Sequence, residues 1–361
     1  MELETRSLPI QHQLEHYEFE INWINRLKKE KNAIVLAHSY QRPEIVFGIA
    51  DYVGDSLELC RKAQQTDADL VVFCGVYFMA ESAAILNPHK KVLLPDLEAR
   101  CSFMDGYSLP DGRSYPGINP EDIKNLRRLF PNLPVECYVN TAAEVKAESD
   151  VCCTSANDIK IAEKLGDRVI FVPDKNMGEN IANVTDRRFI VVETNGDWRY
   201  KLVNNSGEQE LTYGEARDVV YSERILVGWN GRCIVHDTFT TEDAKLMRKM
   251  YPKIKILAHK ECGPDARKFA DFVGGTGEAR RYIEHSDSDT FMFITECGTP
   301  SYFQEIFPDK KFIGSCTECP HMHKIDLTKV LVSLREETPV ISVTEPVNSR
   351  ARRSLEKMLE F

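Results

Sequence analysis

Short apolar runs alternate with segments of helical periodicity along most of the chain, and the same order of segments occurs three times. A strand-like run opens each copy, and it ends in polar residues. These opening runs are Ala33–His38, Val135–Asn140 and Ile254–His259. A second short strand follows in each copy and closes on a hydroxyl residue. The hydroxyl residues are Ser56, Ser155 and Thr276. The repetition predicts three structurally similar units.

Helix-like sequence follows each hydroxyl residue, so each is a candidate helix N-cap, beyond which exposed amides attract anions. A third apolar strand comes next, and then a fourth that opens on a basic residue. Soon after the fourth strand begins, each copy reaches a cysteine. The three cysteines are Cys101, Cys233 and Cys319.

Strands that alternate with helices favour small parallel sheets with helices on both faces. We therefore predict an α/β fold of three repeated three-layer αβα units. Because such sheets bind ligands at the carboxyl ends of their strands, a pseudo-threefold arrangement would direct the polar residues at one central active site.

The predicted boundaries are 1–112 with an N-terminal helical segment, 113–235, and 236–361 with a C-terminal helical segment. The second unit carries an insertion, 183–223, whose polar sequence has weak periodicity and predicts a lid or surface element.

Composition narrows the class of protein. The chain of 361 residues is 42% hydrophobic and 28% charged, which is typical of a soluble enzyme. No apolar run approaches the roughly 20 residues that span a bilayer, and the N-terminus is too polar for a secretory signal. We expect a cytoplasmic protein without a membrane partner. The net charge of −10 argues against nucleic-acid binding.

Eleven cysteines are many for such a chain, and a cysteine is buried by default. Five lie in apolar or helix-like runs and are predicted to be core: Cys60, Cys74, Cys137, Cys152 and Cys153. The three cysteines that close the repeats would supply one thiolate each.

Thiolates select zinc, copper(I) or iron–sulfur clusters. Structural zinc would need a fourth ligand, whereas a [4Fe–4S] cluster on three thiolates leaves one iron open as a Lewis acid. The sequence does not separate Cys316 from Cys319, and this pair could also form a reversible disulfide.

Many of these positions match one known family. The matching stretches are Ala37–Gln41, Gly54–Ser56, Phe73–Glu81, Leu94–Cys101, Tyr138–Asn140, Thr154–Ser155, Pro173–Lys175, Cys233–His236, His259–Cys262 and Cys319–Met322. In these stretches the chain resembles quinolinate synthase. The resemblance implies three similar α/β domains around one [4Fe–4S] cluster, with Cys101, Cys233 and Cys319 as its ligands.

The same resemblance implies a reaction. It is the condensation of iminoaspartate with dihydroxyacetone phosphate to quinolinate, phosphate and two waters, with an aspartate oxidase as the possible source of the unstable imine. The residues implied in proton transfer or substrate orientation are Tyr40, Glu261, His38 and His259. Those implied in substrate binding are His38, Ser56, Tyr138, Asn140, Ser155, His259, Glu261 and Thr276.

Three positions depart from the family pattern. Gly275 stands where the family has serine, Lys260 where it has proline, and Glu179 where it has arginine. A Gly275 amide could replace the lost hydroxyl. Three other readings stay open: a cluster-dependent dehydratase of a hydroxy acid, a redox sensor without catalysis, and a plain zinc protein.

Overall fold

A computed structural model describes residues 10–194, 197–204, 207–239, 241–314 and 317–361. It divides into two compact units. The first contains residues 1–99 and 318–342, and the second contains residues 100–317 and 343–361. The boundaries predicted above stay a prediction.

The first unit is built on one parallel sheet. Its strands are Ala33–His38 (β1), Tyr52–Gly54 (β2), Leu70–Cys74 (β3) and Lys91–Leu93 (β4), in the order β2-β1-β3-β4. Its helices are Ile10–Glu15, Glu18–Glu30, Pro43–Val46, Ser56–Gln65, Tyr77–Leu86 and Leu327–Glu336, with a 3-10 turn at Met322–Lys324. Strand β3 is buried along its whole length, as expected for a sheet covered on both faces.

Residues from late in the chain complete this unit. The Leu94 amide donates to the Pro339 carbonyl, and the Ile341 amide donates to Val92, so 339–341 lie along the outer edge of β4. Glu337 forms ion pairs with Lys31 at 2.7 Å and with Lys91 at 2.6 Å. The first sheet is therefore closed on that side by a segment distant in sequence.

The second unit opens with a short antiparallel ribbon and contains a seven-stranded sheet. The strands are Tyr107–Ser108 (β5) and Ser114–Tyr115 (β6) in the ribbon, then Val135–Tyr138 (β7), Val151–Cys153 (β8), Arg168–Val172 (β9), Arg188–Thr194 (β10), Trp198–Asn204 (β11), Gly207–Leu211 (β12) and Ile225–Trp229 (β13). The sheet order is β12-β11-β10-β13-β9-β7-β8. Its helices are Ser102–Asp105, Pro120–Leu129, Ala143–Ala147, Asp158–Leu165, Lys175–Val184, Tyr213–Ser222 and Val347–Leu359.

A third sheet, also in the second unit, is parallel and four-stranded. Its strands are Lys255–Ala258 (β14), Phe272–Val273 (β15), Thr290–Ile294 (β16) and Lys311–Gly314 (β17), in the order β15-β14-β16-β17. The helices around it are Thr241–Met250, Pro264–Phe269, Thr276–Glu284 and Gly298–Ile306, with a 3-10 turn at His236–Thr238. Its strand order matches that of the first sheet.

Part of the insertion differs from the lid or surface element expected there. Strand β10 lies inside the second sheet, parallel to β13, and Phe189, Ile190, Val191 and Val192 are buried. Strands β11 and β12 add antiparallel to its other side. A strand buried on both faces is a continuous apolar run rather than an alternating one, which explains why periodicity did not reveal it.

The predicted N-caps are also corrected. Asp55, rather than Ser56, caps the first of these helices, because its side chain accepts from the amides of Leu57 and Glu58. Asn157 precedes the second helix, and Gly275 precedes the third. Ser56 and Thr276 are instead the first helical residues, still beside the exposed amides of the first turn.

The α/β class with small parallel sheets is confirmed. The five cysteines predicted to be core, Cys60, Cys74, Cys137, Cys152 and Cys153, are all buried. Among the described residues, no helix has both the length and the apolar character that crossing a membrane requires.

Candidate active site

The carboxylate of Glu261 is the centre of a buried hydrogen-bond network in the second unit. Glu261 follows the carboxyl end of β14 and is 3% exposed. The Tyr138 hydroxyl, at the end of β7, donates to Oε1 at 2.5 Å. A ring nitrogen of His236, Nδ1, lies 2.9 Å from Oε2. Each carboxylate oxygen therefore has its own donor, which fixes the orientation of the group.

His236 connects this carboxylate to three other groups. Its Nδ1 also lies 3.2 Å from the Cys233 sulfur, and its Nε2 lies 2.9 Å from the Thr295 hydroxyl, just past β16. The ring stacks on His259, with centroids 4.5 Å apart. His236 therefore lies between Cys233, a candidate metal ligand, and Glu261, a candidate proton carrier.

These neighbours set the ionisation of Glu261. Burial acts to raise the pKa of this carboxyl, but His236, His259 and the Tyr138 hydroxyl together hold that pKa below its usual value. Asp174 is buried nearby, and burial together with the charge of Glu261 raises the pKa of Asp174. These contrasting environments favour the ionised form of Glu261 and the neutral form of Asp174.

The second sheet contributes a further polar group. Asn140 follows β7, and its side-chain oxygen is buried without a hydrogen-bond partner among the described residues. A buried acceptor of this kind is normally satisfied, so a donor from a bound molecule would complete it.

The start of the helix Thr276–Glu284 lies beside Ser155, which comes shortly before the helix Asp158–Leu165. A Cβ atom added at Gly275 would lie 2.4 Å from the Ser155 hydroxyl, so a side chain at this position would displace that hydroxyl. Ser155 and Thr276 are 9% and 8% exposed. The Gly275 amide, which could replace the missing hydroxyl, donates here to Glu278 at 2.8 Å.

Lys260 contacts residues on both sides of the approach between Ser155 and Gly275. It is 4% exposed, and its ammonium group donates to the Ser155 carbonyl. It also pairs with Asp158 at 2.9 Å and with Glu278 at 3.2 Å. The lysine that departs from the family pattern thus links the starts of two helices.

Cys101 and Cys233 are brought together through Ser102. The Ser102 hydroxyl donates to the Arg232 carbonyl at 3.1 Å and accepts from the Ile234 amide at 3.2 Å. The residue after Cys101 therefore bridges the residues on both sides of Cys233.

Exposure separates two groups of cysteines. Within the described residues, the thiols that are partly exposed belong to Cys101, Cys233, Cys297 and Cys319. All three predicted ligands are in this group. Cys316 lies outside the described residues, so the choice between it and Cys319 rests on the motif match. A second donor set, Cys233, His236 and Glu261, has ligand atoms within 4.8 Å of one another.

The first unit places its candidates at the corresponding strand ends. His38 ends β1 and is buried, and its Nδ1 accepts from the Tyr40 amide at 3.2 Å. The two rings meet edge to face, with centroids 4.5 Å apart. Ser56 begins the helix after β2, and Cys319 precedes the 3-10 turn at Met322–Lys324.

Thr295 was missed at the level of sequence, and Asp174 and His236 were included only as part of matching stretches. Thr295 and Asp174 both lie just past the third strand of their repeat, where a strand end predicts functional groups. That signal was present in the sequence. The contacts of Lys260 were not predictable, because Asp158 and Glu278 lie on two helices far apart in sequence.

Comparison with known proteins finds relatives that match most of the chain. A family model described as "Quinolinate synthetase A protein" matches residues 22–360. Quinolinate synthase 2 of Mesorhizobium japonicum is 40% identical over 341 residues, covering 94% of this chain and 90% of that protein. The quinolinate synthase of Xylella fastidiosa is 37% identical over 344 residues, covering 95% and 87%. That of Agrobacterium fabrum is 38% identical over 346 residues, covering 96% and 86%.

Proposed function

Because the chain belongs to the quinolinate synthetase A protein family, a family of enzymes, we propose that it condenses iminoaspartate with dihydroxyacetone phosphate. The products are quinolinate, phosphate and two waters. The observation that carries this proposal is the buried Glu261 carboxylate, held by Tyr138 and His236 at the end of a parallel strand. Such a group can accept a proton from a substrate that lies against it.

We assign Cys101, Cys233 and Cys319 as the ligands of a [4Fe–4S] cluster. Partial exposure of all three thiols and the Ser102 bridge between the first two support this donor set. The His236 nitrogen beside Cys233 would favour the thiolate form. When bound, a cluster with three thiolates supplies one open iron as a Lewis acid.

The remaining roles follow from position. Ser56 and Thr276, at helix starts, and Ser155, shortly before one, bind the phosphate and carboxylate groups of the substrates. Tyr138 and Asn140 fix the reactive conformer through hydrogen bonds.

Proton transfer belongs to a second set of residues. Glu261 accepts a proton in its ionised form, and Tyr40 carries a proton to or from the substrate. His38 and His259 orient the substrate beside them. An aspartate oxidase would supply the imine.

We further propose that the three sheets form pseudo-threefold units around one site. The order of the first and third sheets is the same, and β8-β7-β9-β13 repeats it within the second. The boundaries 1–112, 113–235 and 236–361 describe these units.

The activity is tested with protein purified without oxygen and supplied with fresh iminoaspartate and dihydroxyacetone phosphate. We expect quinolinate, measured by chromatography, and we expect its formation to stop when the enzyme is exposed to air. Protein with full iron and sulfide that makes no quinolinate would favour the dehydratase or sensor readings.

The ligand assignment is tested by replacing Cys101, Cys233 or Cys319 with alanine. Each variant is expected to lose most of its iron and acid-labile sulfide. Cys297→Ala is the matched control, because this thiol is also partly exposed yet lies outside the proposed set. Normal iron content in any of the three variants would remove that cysteine from the set.

Zinc at Cys233, His236 and Glu261 is a second candidate, favoured by the closeness of their ligand atoms. It predicts a colourless protein without acid-labile sulfide. A brown anaerobic protein with iron and sulfide would exclude it.

A further inference from the structure

A cavity of about 580 Å³ lies within the second unit, between the strands of the insertion and the helix Pro264–Phe269. Its lining carries five cationic side chains and two carboxylates. The cations are Lys175, Arg187, Arg232, Arg267 and Lys268, and the carboxylates are Glu179 and Glu208. Among the described residues, no predicted substrate-binding residue or cluster ligand lines this cavity.

The carboxylates are already engaged. Glu208 pairs with Lys175, and Glu179 lies 3.5 Å from Arg267. Outside the lining, Asp237 pairs with Arg232 at 2.6 Å, and Asp265 lies 3.8 Å from Lys268. Among the described residues Arg187 has no ion pair, so the lining keeps an excess of positive charge at that residue. A concave site with this excess attracts small anions.

Arg187 is the least satisfied of these cations. It is 6% exposed, and its Nη2 donates to the carbonyls of Ala162 at 3.1 Å and Gly166 at 2.9 Å. Its Nε and Nη1 are buried and have no partner within the described part of the chain. The same holds for Nε of Arg232. Leaving a buried charged donor without an acceptor is costly, and an oxyanion would remove that cost.

We propose that this cavity binds a small phosphate-bearing molecule. The guanidinium fork matches phosphate geometry, and the volume is that of an ordinary small-molecule site. Arg187 supplies the buried donors, and Lys268, at the exposed end of the helix, adds charge.

Two residues of the lining also hold the loop that carries Glu261. The Asn176 amide group donates to the Glu261 carbonyl at 3.1 Å, and Arg267 donates to the Cys262 carbonyl at 2.8 Å. A ligand that engages this lining would act on the position of Glu261. This coupling rests on the proposed function, whereas binding itself does not.

The test is calorimetry on the full chain, purified without oxygen, with inorganic pyrophosphate as the probe and succinate as a dicarboxylate comparison. We expect saturable binding of pyrophosphate and much weaker binding of succinate. Arg187→Gln should weaken pyrophosphate binding about tenfold, the loss of about 1.4 kcal/mol. Lys268→Gln should weaken it about threefold, because the side chain is more exposed and its charge is screened.

Two control variants test where pyrophosphate binds. Lys253→Gln removes an exposed charge outside the lining and should leave the affinity unchanged. Ser155→Ala changes the proposed substrate site and should also leave it unchanged. Absence of saturable binding to the native chain, unchanged affinity in both Arg187→Gln and Lys268→Gln, or loss of binding in Ser155→Ala would overturn the proposal. Thermal unfolding of each variant verifies its fold, and Lys268→Gln keeps the test decisive if Arg187→Gln does not fold.

Discussion

Replacing Glu261 with glutamine is expected to lower quinolinate formation by about 10³-fold, within the usual range for removing a general acid–base group. The amide has no charge, and its NH2 group replaces one of the two oxygens that accept from Tyr138 and His236, so it would face a donor there. Iron content should stay normal, because Glu261 is not among the proposed cluster ligands. The measurement is turnover under anaerobic conditions, with iron and sulfide determined on the same sample.

Glu284→Gln is the matched control for this variant. Glu284 is an exposed carboxylate near the end of the helix Thr276–Glu284, and its replacement should leave turnover unchanged. Full activity of Glu261→Gln would remove Glu261 from the mechanism. Loss of iron in that variant would instead place Glu261 in the metal site, as the donor set with Cys233 and His236 allows.

The second large effect concerns stability. Lys260→Met is expected to lower the free energy of unfolding at pH 7 by about 3–5 kcal/mol, the usual cost of removing one partner of a buried ion pair. Asp158 would lose its only cationic partner among the described residues, and its second oxygen already has no hydrogen-bond partner there. Urea unfolding followed by circular dichroism measures the loss.

The pH dependence of this loss has a definite sign. Burial raises the pKa of Asp158 to about 6, while Lys260 acts to lower it. A carboxyl with a raised folded pKa binds its proton more tightly in the folded protein than in the unfolded chain. The free energy of unfolding therefore falls as the pH rises from about 4 towards that folded pKa. Without Lys260 the pKa of Asp158 rises further, so the free energy of unfolding of the variant continues to fall above pH 6. The difference in free energy of unfolding between the native chain and Lys260→Met should therefore be largest above pH 7 and smaller at pH 5.

A second substitution tests the pairing itself. Adding Asp158→Asn to Lys260→Met should recover part of the stability and flatten the pH dependence, because no unpaired carboxylate is then buried. A deficit that is the same at pH 5 and pH 8, and unchanged by Asp158→Asn, would show that the lost packing of the Lys260 chain, and not the charge, is responsible.

The repeated strands could be predicted because each is a local pattern of apolar residues ending in polar ones. The opening strands of the three repeats, β1, β7 and β14, lie close to their predicted positions. Strand β10 was not predicted, because it lies in the insertion, outside the repeat, and is buried on both faces.

The candidate site was predictable to the extent that it lies at strand ends. Glu261 and Tyr138 were both expected there, and the structure joins them at 2.5 Å. The place of His236 between Cys233 and Glu261 depends on three segments meeting in space. Contacts between segments distant in sequence cannot be predicted from a local pattern. The same is true of the contacts of Lys260 with Asp158 and Glu278.

The late closure of the first unit has a consequence for synthesis on the ribosome. Strand β4 receives its outer neighbour, 339–341, only after all of residues 100–317 have been made. At the roughly 5–20 residues per second of translation, this takes on the order of 10–40 s. During that interval the outer edge of β4 exposes unpaired backbone groups, which is the geometry that invites pairing with another nascent chain. Crowding of ribosomes on one message would therefore be expected to endanger this part of the chain first.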